Sequence, residues 1–294
     1  MDTLAGKRLV IFGCGYVGAA VAQRAVAAGA RVIALTRNAE KAAALRAAGI
    51  ETVVAELADH RWHAAIAGAP DGVLNCVSSG GGGAEAYRRS YVDGLRSIIE
   101  WARARGPAET LIYTSSTSVY AQGEGVIVDE SMPTVPSSDR AAVLIEAERL
   151  VREGGAAARR WWILRLAGIY GPGRFHLLEQ VRGGEVAGVG THHLNLIYRD
   201  DIVAAVLAAF TAPASQGNEA LNLADDGRAL KSEIVGWLAT ELGAPPPRFT
   251  GAPTGGRRAV TPDRVIANAR AKAVLGWRPA WPTFREGYAS LLSP

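Results

Sequence analysis

What this chain of 294 residues lacks narrows its function before any motif is read. It has two cysteines, Cys14 and Cys76. Two thiols build neither a disulfide framework nor a cysteine metal site, a usage that suits a reducing compartment. No uninterrupted apolar run reaches the roughly 20 residues of a membrane span; Ile202 to Phe210 is too short. The amino terminus carries no signal-peptide pattern, because a strand-like run begins within ten residues, so a cytoplasmic location and no membrane partner are expected. The net charge of +4 comes mostly from scattered arginines. Without extended basic clusters, nucleic acid is not an expected partner. There is no repeat at a fixed period. His192-His193 has no cysteine or carboxylate at ligand spacing, so no metal site is expected. Finally, no aspartate or glutamate occurs between Ala5 and Glu40, and no lysine between Lys41 and Lys231.

Against these absences stands one dense motif, Gly13-Cys14-Gly15-Tyr16-Val17-Gly18. The apolar run Arg8 to Phe12 leads into it and reads as a buried strand. A helix-like stretch, Tyr16 to Ala28, leads out and stops at Gly29, and a second apolar run follows at Arg31 to Thr36. Strand, glycine turn, helix and strand within about thirty residues form the βαβ unit that binds dinucleotides. Gly13 permits the tight turn, Gly15 lets the backbone approach a pyrophosphate, and Gly18 lets helix and strand pack closely. The helix amino terminus then turns its free N–H groups toward the phosphates.

Strand and helix patterns alternate through the first two-thirds. Asn38 to Ala48 reads as a helix and Glu51 to Val54 as a strand. Gly72 to Val77 is a strand that ends in Asn75-Cys76-Val77-Ser78-Ser79, with four glycines after it. Tyr87 to Arg105 reads as one amphipathic helix with Tyr91, Leu95, Ile98, Ile99 and Trp101 on its apolar face. Thr110 to Thr114 is a strand running into Ser115-Ser116-Thr117-Ser118. Ala141 to Arg152 is a helix, Trp161 to Arg165 a strand, and Ala220 to Leu223 another. Repeated βα units predict an α/β fold with a parallel sheet covered on both faces. Residues 1–170, with 196–226 returning, form the nucleotide-binding part; the irregular 171–195 and 227–294 form a smaller substrate-binding lobe. Asp200-Asp201, ahead of an apolar helix, reads as an N-cap.

Five segments recur in an order that resembles the extended short-chain dehydrogenase/reductases of the NAD(P)-dependent epimerase/dehydratase group. They are the glycine loop, Thr114 to Tyr120, Arg165 to Pro172, Tyr198 to Ile202, and the tail Leu275-Gly276-Trp277-Arg278-Pro279 with Arg285-Glu286-Gly287. The resemblance covers nearly the whole chain. It implies a Rossmann-type, doubly wound parallel sheet with a smaller carboxy-terminal substrate lobe, and an oxidoreductase or epimerase acting on a small carbonyl or sugar-like molecule. It also implies a serine at Ser116, with Ser115 beside it and Tyr170 near the cofactor. Members with the standard chemistry add a tyrosine and a lysine four apart on the following helix, where the lysine charge depresses the phenol pKa. Here that stretch is Pro136 to Leu144 and holds neither; no tyrosine occurs between Tyr120 and Tyr170. The departure resembles the atypical short-chain reductases. Tyr120, four residues past Ser116, is the candidate replacement acid, with Arg174 and His176 as further candidates.

The second strand ends in Thr36-Arg37-Asn38, where an NAD-selective site would carry an acid. Arg37 offers a fork that matches a 2′-phosphate, so NADP(H) is expected over NAD(H). Cys76, Val77 and Ser78 should pass under the cofactor. Tyr87, Tyr91, Leu95 and Ile98 lie on the helix that pairs subunits in many members of the family, so the protein is expected to be a monomer or homodimer. The rival reading is a non-catalytic NADP(H)-binding sensor that has lost the pair together with the chemistry.

Overall fold

The first strand, β1 (Arg8–Phe12), is apolar after its first residue, and every one of those positions is buried. Successive side chains of a strand point to opposite faces. Accordingly Leu9 and Ile11 join one core cluster while Val10 and Phe12 join another. The two clusters are the two sides of one sheet, and that is why the strand reads as a continuous apolar run. The computed structural model describes residues 3–79, 81, 83–251 and 262–292.

The chain continues through α1 (Tyr16–Ala27), β2 (Arg31–Thr36), α2 (Ala39–Ala47), β3 (Glu51–Val54), a short α3 (Trp62–Ala65) and β4 (Gly72–Asn75). Then come α4 (Gly83–Arg88), a π-helical turn (Arg89–Asp93), α5 (Gly94–Arg105), β5 (Ala108–Ser116), β6 (Val126–Val128), α6 (Asp139–Glu153) and β7 (Ala158–Leu166). The remaining elements are β8 (Gly168–Tyr170), α7 (His176–Arg182), β9 (Glu185–Val186), β10 (Leu196–Tyr198), α8 (Arg199–Thr211), β11 (Glu219–Leu223), α9 (Lys231–Glu241), β12 (Arg248–Phe249), β13 (Arg264–Ile266), α10 (Ala269–Leu275) and α11 (Phe284–Leu292). Seven strands make one sheet in the order β11-β7-β5-β4-β1-β2-β3, and every neighbouring pair is parallel. This is the α/β, Rossmann-type sheet expected from the sequence. Among the described residues no helix is long and apolar enough to cross a membrane.

A third cluster, with Leu178, Val186, Ile234, Leu238, Phe284 and Tyr288 at its centre, is the core of the smaller lobe. Two long-range devices tie the carboxy-terminal segments to the sheet. In the first, β13 pairs with β6, and Arg264 donates to the Thr117 carbonyl (3.0 Å) and the Gln122 carbonyl (3.2 Å), clamping the loop after β5. In the second, Asp201 is buried and accepts from the backbone N–H groups of Ala280 (2.6 Å) and Trp281 (3.2 Å). The expectation of an N-cap at Asp200-Asp201 is therefore corrected. The cap position of α8 is Tyr198, Asp201 docks the tail, and Asp200 pairs with Arg199.

The helix expected from Tyr87 to Arg105 begins earlier, at Gly83, and is interrupted by the π turn. Leu95 and Ile98 on it are fully buried in the core beneath the sheet.

Candidate functional site

The carboxyl ends of β1, β4 and β5 open into a cavity of about 1300 Å³, walled on one side by the sheet ends and on the other by the lobe. Crevices at strand ends are where open α/β sheets bind ligands. Its floor is the glycine loop. Gly13 has φ 88°, and a Cβ there would lie 2.6 Å from the Val77 backbone. A Cβ on Gly18 would lie 2.4 Å from the Gly13 carbonyl oxygen. Those two glycines are required by the protein itself. Gly15 is different: a Cβ there meets nothing within 4 Å, and the residue lines the cavity. That open space at the start of α1 leaves room for a ligand to approach the backbone N–H groups there.

The expected cofactor residues divide into those that face the cavity and those that do not. Gly15, Tyr16, Val17, Cys76, Val77, Ser78, Ser115 and Ser116 line it. Cys14 turns its thiol inward, 3.6 Å from the Ile11 carbonyl, and burial pushes its pKa far up, so only its backbone is available. Burial also pushes the Cys76 thiol up, to about 12. Thr36, Arg37 and Asn38 sit at the end of β2, outside the cavity lining. Asn38 caps α2 by accepting from the Lys41 N–H (2.8 Å), and the Thr36 hydroxyl accepts from the Asn38 N–H (3.3 Å). The Arg37 side chain is 51% exposed, with Glu56 at 3.9 Å. No acid lies between Ala5 and Glu40 on the chain, yet the turn after β3 brings one to Arg37. That neighbour carries no signal in the local sequence.

Two expected site residues are corrected. Tyr120 is fully buried and does not line the cavity. Its hydroxyl donates to Asn222 (2.9 Å) and accepts from Arg165 (2.6 Å). The 3₁₀ turn Thr117–Val119, begun where Ser116 Oγ accepts from the Ser118 N–H, carries Tyr120 into the core. Tyr170 is 3% exposed and belongs to the lobe core, packed edge-on to Tyr198 and tilted on Tyr288. Its hydroxyl fits against Gly287, where a Cβ would collide with it. Of the other candidate acids, Arg174 lines the cavity, whereas His176 is exposed, paired with Glu179 and outside it.

Beneath the serines lies a buried charge network. Ser115 donates to Glu148 (2.8 Å), which Arg165 grips with two nitrogens (2.9 and 2.7 Å) and Arg152 meets at 2.8 Å. Glu148 is fully buried, but these cations overcome the desolvation that opposes them and hold its carboxyl below the usual range. The network fixes the Ser115 hydroxyl from below.

Where a Tyr/Lys pair would stand, α6 presents Arg140 and Leu144 to the cavity, four residues apart. Tyr87 and Tyr91 also line it, ring centroids 4.4 Å apart. From the lobe come His192, Lys231 and Asp263. Lys231 donates to the Ala187 carbonyl, and burial lowers its pKa. Asp263 binds both the backbone N–H and the ring of His193 (2.8 and 2.7 Å). The sequence offered only the four-residue spacing of Tyr87 and Tyr91 as a signal, and that spacing reads equally as a packing stripe. Among the described residues no cluster of three or more potential ligands could hold a metal ion.

Comparison with known proteins bears on the family and the fold. The chain is similar to Protein YeeZ of Escherichia coli K12, 26% identical over 281 residues, covering 94% of this chain and 97% of the relative. It is also similar to 3-diazoavenalumate denitrifying reductase from a Streptomyces species, 30% identical over 221 residues, covering 68% and 70%. In fold it matches the structure of MoeE5 in complex with UDP-glucuronic acid and NAD, with a TM-score of 0.82 at 21% identity and 97% of each chain covered. The sequence model of the NAD dependent epimerase/dehydratase family matches residues 9–224, and the chain belongs to that family.

Proposed function

We propose that this protein is an NADP(H)-dependent oxidoreductase or epimerase whose small carbonyl or sugar-like substrate enters the cavity at the sheet ends. The observation that carries the reading is the glycine loop. Gly13 and Gly18 are held by their own backbone neighbours, while Gly15 is left open toward a cavity that also presents Ser115 and Ser116. The backbone of Gly13 to Gly18, Cys14 included, would hold the pyrophosphate at the start of α1. Cys76, Val77 and Ser78 would pass under the cofactor, and Thr36, Arg37 and Asn38 would hold the adenosine end. When bound, the nicotinamide supplies a hydride or takes one up. The Ser116 hydroxyl would hydrogen-bond the reacting oxygen, and Glu148 through Ser115 would keep that corner rigid. Arg140, Arg174 and Lys231 line the cavity without a carboxylate partner among the described residues, which suits a substrate that carries negative charge. The relatives' names support a reductase or epimerase. The two free thiols, buried or half-buried, suit the cytoplasm.

Preference for NADP(H) rests on Arg37 and on the absence of an acid at the end of β2. Glu56 competes for the same guanidinium. Calorimetric titration of NADPH and NADH tests this. We expect NADPH to bind more tightly to the wild type, Arg37→Ala to weaken NADPH about ten- to a hundredfold with little effect on NADH, and Glu56→Gln to tighten NADPH. Equal wild-type affinities would defeat the assignment. The second reading, a dinucleotide sensor, is favoured by one observation, the replacement of the Tyr/Lys pair by Arg140 and Leu144 on α6. Tight NADPH binding with no turnover across a broad carbonyl screen would put the sensor in the enzyme's place.

A further inference from the structure

A reductase without the Tyr/Lys pair needs another proton donor, and three phenols line the cavity: Tyr16, Tyr87 and Tyr91. The Tyr16 hydroxyl is buried without a partner, wedged where a Cβ on Gly171 would come within 3.0 Å, and Arg174 and Arg199 cover its ring. It is closed to a substrate. Tyr87 and Tyr91 stand one turn apart on the helix that flanks the crevice. Tyr91 shares the cavity wall with Ser78 and Ser79 at the exit of β4, its ring 4.4 Å from that of Tyr87. The Arg140 guanidinium lies 5.4 Å over the Tyr87 ring. Tyr91 itself sits in the π turn Arg89–Asp93. A turn of that kind re-aims one side chain within a helix and recurs at functional sites.

A phenol oxygen has two lone pairs and one proton. Tyr91 is the phenol that the π turn carries, and the Arg140 guanidinium, held over the adjoining Tyr87 ring, favours the phenolate left when its proton is given. We propose that Tyr91 is the proton donor of this site, with Tyr87 as its relay to solvent and Arg140 as a positioning cation, in place of the pair that α6 lacks. The proposal rests on the NADP(H)-dependent reading above. In carbonyl reduction the substrate carbon gains a hydride and the π pair of the C=O bond moves to oxygen. That oxygen takes the proton of Tyr91 as the phenol O–H bond breaks, and water returns a proton to the phenolate through the Tyr87 hydroxyl. Around Tyr91 the charged and titratable groups are Tyr87 on its own helix, Cys76 at the end of β4, Tyr113 on β5 and Arg140 on α6. Burial raises its pKa, while Tyr87, the Ser79 backbone and Arg140 lower it.

Protein labelled with ¹³C at tyrosine Cζ reports each ionisation separately, and the Tyr91 signal is the one that disappears in Tyr91→Phe. We expect NADP⁺ at saturation to lower the pH at which Tyr91 ionises by at least half a unit. Arg140→Gln and Tyr87→Phe should each raise it by a similar amount, with calorimetric NADP⁺ affinity held within about threefold. Tyr120, bound in the core, should not respond. A Tyr91 ionisation that neither bound NADP⁺ nor Arg140→Gln moves overturns the proposal. Should NADP⁺ fail to bind at all, the cofactor reading falls, and the Arg140→Gln comparison in free protein still decides whether Arg140 acts on Tyr91. With any carbonyl substrate found by screening, Tyr91→Phe should lower kcat at least a hundredfold with KM within about threefold. An unchanged kcat would equally overturn it.

Discussion

At the scale of single residues, Tyr120 separates what spacing shows from what geometry shows. Four positions after Ser116 it looked placed for chemistry, yet one 3₁₀ turn rotates it beneath the sheet end, where Arg165 and Asn222 hold its hydroxyl. Tyr120→Phe should therefore leave cofactor affinity unchanged and cost about 1–3 kcal/mol of stability, because it strands two buried polar partners. Chemical denaturation and calorimetry would show this; a loss of cofactor affinity with stability intact would contradict it. Asp225 makes a second case. It is buried beside Asp201, Asp226 and Glu286, and desolvation, ahead of those charges, pushes its pKa up to about 8 from 3.8. Between about pH 4 and 8 the folded protein then keeps a proton that the unfolded chain releases. Its contribution to stability is complete below about pH 4 and is lost as pH rises through about 8. Asp225→Asn keeps the oxygen that accepts from the Gly227 N–H (3.0 Å) and removes the titration. Its melting temperature should gain on the wild type by at least about 3 °C between pH 5 and pH 9; a constant difference would rule out the burial argument.

At the scale of elements, the sequence was most legible where one local rule decides the structure. The apolar run of β1, the glycines and the stop at Gly29 are all short-range signals, and β1-α1-β2 forms as they indicate. The π turn at Arg89–Asp93 was not legible, because the apolar spacing of Tyr87, Tyr91, Leu95 and Ile98 suits an unbroken helix equally well. Nor was the aspartate pair in the first turn of α8: a capping pattern and a tail-docking carboxylate look alike until the tail is in place. The glycine loop yields the sharpest test at this scale. Gly15→Val should fold normally and lose NADP(H), since its side chain enters open space that the cofactor requires. Gly18→Val should fail to fold stably, since its Cβ collides with the Gly13 carbonyl. Circular dichroism and cofactor titration distinguish the two, and identical behaviour would mean that the loop is misread.

At the scale of the whole molecule, the sheet could be foreseen from alternating patterns, but the wall opposite it could not. Lys231, His192 and Asp263 reach the cavity from separate segments, and Glu56 reaches Arg37 from the turn after β3. No window of sequence contains those pairs, so nothing short of the tertiary fold reveals them. The same holds for the clamp of Arg264 on the carbonyls of Thr117 and Gln122. Arg264→Leu should leave the sheet, and hence the bulk of the circular dichroism signal, in place. It should loosen the loop after Ser116, seen as faster amide exchange at residues 117–122; unchanged exchange there would show that the clamp is idle. That clamp also has a bearing on timing. A ribosome releases the strands of the sheet first, and β13 near the end, so the loop that carries Ser116 acquires its brace only after more than a hundred further residues have emerged. On the function proposed above, a nascent or clipped chain ending before Arg264 would build the dinucleotide cradle before the loop beyond Ser116 is braced, so that the ability to bind would precede the ability to catalyse during the protein's own birth.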